Sequence, residues 1–233
     1  MHKIALSSAA LDRMTARMGK LHPFDTIEPR KAALLVIDMQ NYFVKQGHQG
    51  EISLAREIVP NINRLAAGLR SRGGHVVWVR NGTRDTRESW STLHQSLLTR
   101  DRMERRLAEM DIEGDGYAYW HLNDIHPEDA QIAKARYSAF IQGSSKVEQY
   151  LRARDIDTLL IAGTATNVCC ESSARDAMML NFKVVMVSDA LATHTDAEHN
   201  ASLSALYGQF ADVQTTDEAL QSLERGDKAR AAA

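Results

Sequence analysis

A chain of 233 residues with 44% hydrophobic side chains is long enough to bury one sizeable core and short for two. Its 30 acidic and 28 basic side chains leave a formal net charge of −2, which gives no basic surface for nucleic acid or an anionic membrane. No apolar run approaches the ~20 residues of a membrane span. Arg13, Arg17 and Lys20 interrupt any secretory-signal layout. The two cysteines, Cys169 and Cys170, are adjacent and cannot form an ordinary disulfide framework, so a reduced, cytoplasmic setting is expected.

Residues 1–30 precede the first strand as an extension. Leu6, Leu11, Met14 and Met18 can line one helical face, and Pro23 and Pro29 end any helix there. The segment holds more apolar residues than a flexible tail, which predicts an arm packed on the domain or on a neighbouring subunit. The apolar run 32–38 closes on Asp38 and reads as the first strand of a parallel sheet. A helical stretch over 54–72 follows, ended by Gly73-Gly74, and residues 75–80 form the next strand. Such a strand–helix–strand crossover is right-handed, and Asp38 then stands at the carboxyl edge where open α/β sheets keep their ligands.

Residues 81–129 are the least regular part, with a charged helical piece over 93–110 and an aromatic cluster of Tyr117, Tyr119 and Trp120. Without a basic groove the cluster reads as packing, and the whole excursion as walls of a site. Residues 130–134 resemble a short strand ending on Lys134, and a helix over 144–154 leads to the buried strand 158–162. Strand 183–189, helix 196–207, strand 212–215 and helix 217–225 complete the pattern, with Gly226 as a helix stop and 226–233 as a frayed tail. The alternation predicts one α/β domain over 31–225: a doubly wound, mainly parallel sheet of about six strands with helices on both faces.

The stretch after the fourth strand carries the chemistry. Thr166 and Asn167 are suitable N-cap residues for a helix running from Val168 to Asn181 without Gly or Pro. From Cys170, steps of four, seven and eight reach Ala174, Ala177 and Met178, an apolar stripe for the sheet. From Cys169, steps of three, four and seven reach Ser172, Ser173 and Asp176, a polar face. Cys170 therefore reads as packing and Cys169 as a nucleophile, its thiol made more acidic by the helix start. Asp38, Lys134 and Cys169 all fall on one sheet edge, where a carboxylate, an ammonium and a thiol could form an activated nucleophile with its base.

The motifs around these three residues, 35–41, 134–140 and 166–177, resemble the isochorismatase-like cysteine hydrolases over roughly residues 30–225. The resemblance implies an Asp–Lys–Cys triad that hydrolyses carbon–nitrogen bonds of small amides and ureido compounds. Cys169 would be the nucleophile, Asp38 the general base and Lys134 the supporting charge. It further implies a cis peptide at Thr164–Ala165 and an oxyanion hole from the N–H groups of Ala165 and Cys169. Homo-oligomers are usual in that family.

True isochorismatases lack this cysteine and cleave a vinyl ether, so its presence favours the amidohydrolase branch. An ether hydrolase or a non-catalytic binder on the same fold are the alternatives. Within the branch, the pattern over 77–82, 134–138 and 165–169 is most similar to ureidoacrylate amidohydrolases, which implies Asn81 and Tyr137 as hydrogen-bonding partners of a ureido group. Thr83 departs from that pattern, and so does the longer segment between Phe140 and Val147. The Asp-x-His metal site of nicotinamidases has no counterpart over 81–85, and His121/His126 and His194/His199 are badly spaced for a shared ion. No metal or cofactor is expected.

Overall fold

The computed structural model describes residues 1–84 and 86–232; Asp85 and Ala233, which fall in the 81–85 stretch and the expected tail, lie outside the described residues. Six strands form one sheet: β1 (Ala32–Ile37), β2 (His75–Asn81), β3 (Ala130–Lys134), β4 (Thr158–Thr164), β5 (Lys183–Ala192) and β6 (Asp212–Gln214). Their order is β3-β2-β1-β4-β5-β6, and every pairing is parallel. The doubly wound α/β reading is borne out.

Helices α1 (Ser8–Met18), α2 (Asn41–Val44), α3 (Val59–Arg70), α4 (Thr86–Ser89), α5 (Arg100–Glu109), α6 (Val147–Arg152), α7 (Glu171–Met179), α8 (Asp196–Leu206) and α9 (Thr216–Ala231) connect and cover the strands. The two-residue period of a strand divides β1 between two cores. Ala33, Leu35 and Ile37 join the core that includes Cys170, Ala174, Ala177 and Leu203. Ala32, Leu34 and Val36 join the one that includes Ile62, Leu65, Leu69, Ala219 and Leu223. Both faces are covered, which is why the strands read as continuous apolar runs rather than as alternation.

Strand order reverses between β1 and β4, the topological switch point where the two halves of the sheet diverge and leave a crevice beyond the strand ends. Asp38 follows β1 and Cys169 lies just past β4, so the two chemical groups flank that crevice.

Two expectations about the termini need correction or detail. The last helix does not stop at Gly226: α9 continues through the first residues of the expected tail to Ala231. A Cβ at position 226 would lie 1.8 Å from the Ile27 carbonyl oxygen, so this glycine permits close packing rather than ending the helix. The start of α9 is fixed by a capping box between Thr215 and Glu218. At the other end, α1 sits on its own domain. Ala10 and Met14 enter the core, the Ala5 N–H donates to Asn200 Oδ1 (2.8 Å), and the Ser7 N–H donates to Ser204 Oγ (3.0 Å). No helix among the described residues is long and apolar enough to cross a membrane.

Candidate active site

Asp38 adopts a left-handed conformation, φ 56°, which few residues other than Gly, Asn and Asp take readily. Its N–H donates to the Val79 carbonyl (2.8 Å), and its own carbonyl accepts from Thr164 Oγ1 (3.1 Å). Neighbouring strands on both sides thus hold the carboxylate at the strand end. Lys134 closes β3 opposite Asn81 of β2, and its four-carbon stem covers the intervening strand. Its Nζ lies 2.8 Å from Asp38 Oδ2, and neither side chain has exposed surface. The contact is an ion pair lacking the angle of a formed hydrogen bond; among the described residues neither Asp38 oxygen has a hydrogen-bonding partner. Nζ also donates to the Arg136 carbonyl (3.1 Å), which receives Asn81 Nδ2 as well (3.2 Å).

Cys169 lies in a wide turn, Thr166–Cys170, in which the Cys170 N–H reaches back to the Ala165 carbonyl (3.2 Å), and α7 continues from it. The expected capping by Thr166 and Asn167 is absent, because both side chains are taken by distant partners. Thr166 Oγ1 pairs with His199 Nδ1 (2.9 Å), and Asn167 Oδ1 accepts from Thr193 Oγ1 (2.6 Å). The turn is tied to the sheet and to α8 instead of to its own backbone. The Thr164–Ala165 peptide is cis, and among the described residues the Ala165 N–H has no acceptor. Ser173 Oγ donates to the Cys169 carbonyl (2.7 Å) and accepts from the Ala139 N–H (3.1 Å). Part of the polar face read from the sequence is therefore internal wiring. Cys170 is fully buried in the core.

Cys169 also borders a cavity of about 280 Å³, with Tyr42, Arg106, Tyr137, Ala165 and Val168 on its wall. Small molecules bind in clefts of this order or larger, lined by apolar groups with a few polar ones. An isochorismatase domain matches residues 32–218.

The chain belongs to the isochorismatase family.

Curated relatives include the ureidoacrylate amidohydrolase RutB of Klebsiella variicola, 30% identical over 214 residues, covering 84% of this chain and 89% of that one. RutB of Cronobacter sakazakii is 32% identical over 227 residues, covering 89% and 94%. Among solved structures, a cysteine hydrolase from Pseudomonas syringae pv. phaseolicola superposes with a TM-score of 0.76 at 25% identity, covering 89% of this chain and 98% of that one. The family resemblance carried by the three sequence motifs is borne out.

In this isochorismatase-family site the thiol is not acidic. Burial, then the Asp38 charge, push Cys169 up to about 12, against a smaller opposing effect of Lys134. The expected acidification by the helix start is outweighed, because the thiol is buried and faces a carboxylate. Burial, the largest single effect, would lower Lys134, but the Asp38 charge together with Cys169 outweighs it and holds the ammonium above its ordinary value. At rest the pair is charged and the thiol neutral. Replacing Asp38 with Asn should therefore make Cys169 more acidic. In a Cys170→Ala background, thiolate absorbance at 240 nm should rise at a lower pH in Asp38→Asn than in the parent. An unchanged or higher titration point would contradict this electrostatic picture.

Of the two residues expected to meet a ureido group, Tyr137 stands on the cavity wall, stacked edge-on against Trp90 with ring centroids 4.7 Å apart. Asn81 is buried off that wall. Its amide holds the Arg136 carbonyl, its N–H donates to Gln40 Oε1 (2.7 Å), and Gln40 Nε2 returns a bond to its carbonyl (3.1 Å). Sequence reasoning passed over Arg106 and Tyr42 and weighed His194 only as a metal ligand; all three also line the cavity. Arg106 carried a signal: it shares a helical face with the buried Met103 and Met110, a charge set in an apolar stripe. Among the described residues, no three His, Cys, Asp or Glu side chains gather as a metal site.

Proposed function

We propose that this protein is a cysteine-dependent amidohydrolase that cleaves a carbon–nitrogen bond of a small ureido, carbamoyl or amide compound. The observation that carries the reading is the buried Asp38–Lys134 ion pair at 2.8 Å, with the Cys169 thiol close enough to interact with both charges. The ureidoacrylate amidohydrolases among its relatives support the ureido class.

In the first half-reaction Asp38 takes the Sγ proton as sulfur attacks the substrate carbonyl carbon. With a resting thiol near 12, only about one molecule in 10⁵ carries a free thiolate at pH 7, so proton transfer accompanies attack rather than preceding it. The developing oxyanion is received by the N–H groups of Ala165 and Cys169, each such donor supplying about 3 kcal/mol. Collapse breaks the C–N bond, and the proton held by Asp38 passes to the departing amine or ammonia. The enzyme is left as a thioester, or as the S-carbamoyl form when a ureido carbon is attacked. Water then adds to that carbonyl, giving one proton to Asp38, and the proton returns to sulfur as the C–S bond breaks. Lys134 balances the Asp38 carboxylate at rest and faces the sulfur as it gains charge.

Ammonia or amine release across a panel of ureido acids, carbamoyl amino acids and simple amides tests the reading. At least one should turn over, and Cys169→Ala should lower that rate by about 10³-fold or more. Turnover that survives loss of the thiol would exclude the covalent route.

A further inference from the structure

Most arginines near this cavity have partners. Arg87 pairs with Glu104 (2.8 Å) and Arg105 with Glu109 (2.5 Å), while Arg136 donates to the Ser89 carbonyl (2.7 Å). Arg106 is different. It is 8% exposed, its Nε has no hydrogen-bond partner, and its guanidinium meets no carboxylate among the described residues. Its protein contact is with the Tyr42 ring, the guanidinium carbon lying 5.4 Å from the ring centroid. A cation–π contact at that range offsets only part of what a buried, unpaired cation costs. The charge sits on the wall of the same cavity as Cys169 and Tyr137. One turn earlier on α5, exposed Arg102 lines the cavity too and has no ion pair among the described residues, adding a second positive charge on that side.

A buried cation retained without a counter-charge is a binding site for one supplied from outside. We infer that Arg106 receives a carboxylate of the substrate, and that the substrate is a small acyclic acid carrying its scissile ureido or amide carbonyl at the other end. The guanidinium fork matches the two oxygens of a carboxylate, and the cavity of about 280 Å³ encloses both ends of one short molecule. Arg106 then sets specificity: it fixes the acid group, and the carbon chain delivers the carbonyl to Cys169. The inference rests on the amidohydrolase reading for the identity of the reacting end, but the anion site can be tested without turnover.

The probes are 3-ureidopropionate and its neutral methyl ester, titrated calorimetrically into the Cys169→Ala protein, which cannot form the thioester. The acid should bind about 30-fold more tightly than the ester, the size of a charge-assisted hydrogen bond. Arg106→Gln in the same background should bring the ratio near unity by weakening the acid alone, and Arg106→Lys should restore part of it. If Arg106→Gln does not fold, the acid-to-ester ratio in the Arg106 protein and its decline between 50 and 500 mM salt carry the test. Equal binding of acid and ester, absence of acid binding, or a ratio unchanged by Arg106→Gln would each overturn the inference. Failure of the ammonia-release panel, by contrast, would remove the reaction and leave the anion site standing.

Discussion

Lys134→Met is expected to destabilise the fold by about 3–5 kcal/mol and to abolish turnover, because it leaves the Asp38 carboxylate buried without its counter-charge. The carboxylate can respond only by staying charged at that cost or by taking up a proton, and a protonated Asp38 is no longer a base. Either way the proposed site loses the Lys134 charge that faces the sulfur, and turnover should be lost with it. Adding Asp38→Asn to Lys134→Met should return much of the lost stability and none of the activity, since the pair is then replaced by neutral groups. Urea unfolding of the two single variants and the double variant measures this directly. A Lys134→Met protein as stable as the double variant would mean that the ion pair is not what the buried carboxylate depends on. The pH dependence has a definite sign. Lys134 titrates above the ordinary lysine value of 10.5 in the folded state, so its contribution is complete below that pH and is lost as pH climbs through the folded value. On the alkaline side, the stability gap between wild type and Lys134→Met should therefore begin to narrow only in strongly alkaline solution.

Gly163→Ala should be nearly as damaging although it adds one methyl group. Position 163 has φ 111°, and a Cβ there would lie 2.0 Å from the Ile37 carbonyl oxygen and 2.8 Å from the Ile37 nitrogen. The obstacle is backbone and cannot rotate away. Ile37 and Gly163 are register partners at the ends of β1 and β4, immediately before Asp38 and the nucleophile turn. Either the two central strands part or the turn shifts. The strained φ and the overlap together predict about 3 kcal/mol or more of lost stability, seen as a fall of roughly 6–12 °C in thermal midpoint for a chain of this size. Turnover should fall further than stability, since the displacement occurs between Asp38 and Cys169, the proposed base and nucleophile. A midpoint within a degree or two of wild type would show that the strand ends can yield.

The sheet was legible because each strand is buried on both faces and so appears as an uninterrupted apolar run. The three residues proposed as a triad could be grouped because Asp38, Lys134 and Cys169 each terminate or follow such a run. What escaped was decided by contacts between distant residues. Thr166 and Asn167 have the composition of helix caps, yet His199 and Thr193, far along the chain, claim their side chains. Gly226 has the composition of a helix stop, yet Ile27 approaches its backbone closely enough that only glycine fits. The acidity of Cys169 is not legible in sequence, because a helix start is visible there whereas burial beside a carboxylate is not. Arg106 is one of four arginines within seven residues and, read locally, belongs to a solvated charged helix. Its lack of a partner emerges only when α5 is folded over the cavity.

The neutral resting thiol has a consequence for how this protein meets oxidants. Peroxide reacts with thiolates rather than thiols, and a cysteine at about 12 presents roughly three orders of magnitude less thiolate at neutral pH than an ordinary one. Sulfenic acid formation at Cys169 is therefore expected to be slow, held back by the same burial and the same carboxylate. On the proposed mechanism the sulfur gains its charge only while a bound carbonyl is there to receive it. Cys169 should then stay reduced between turnovers, with its neighbour Cys170 locked in the core.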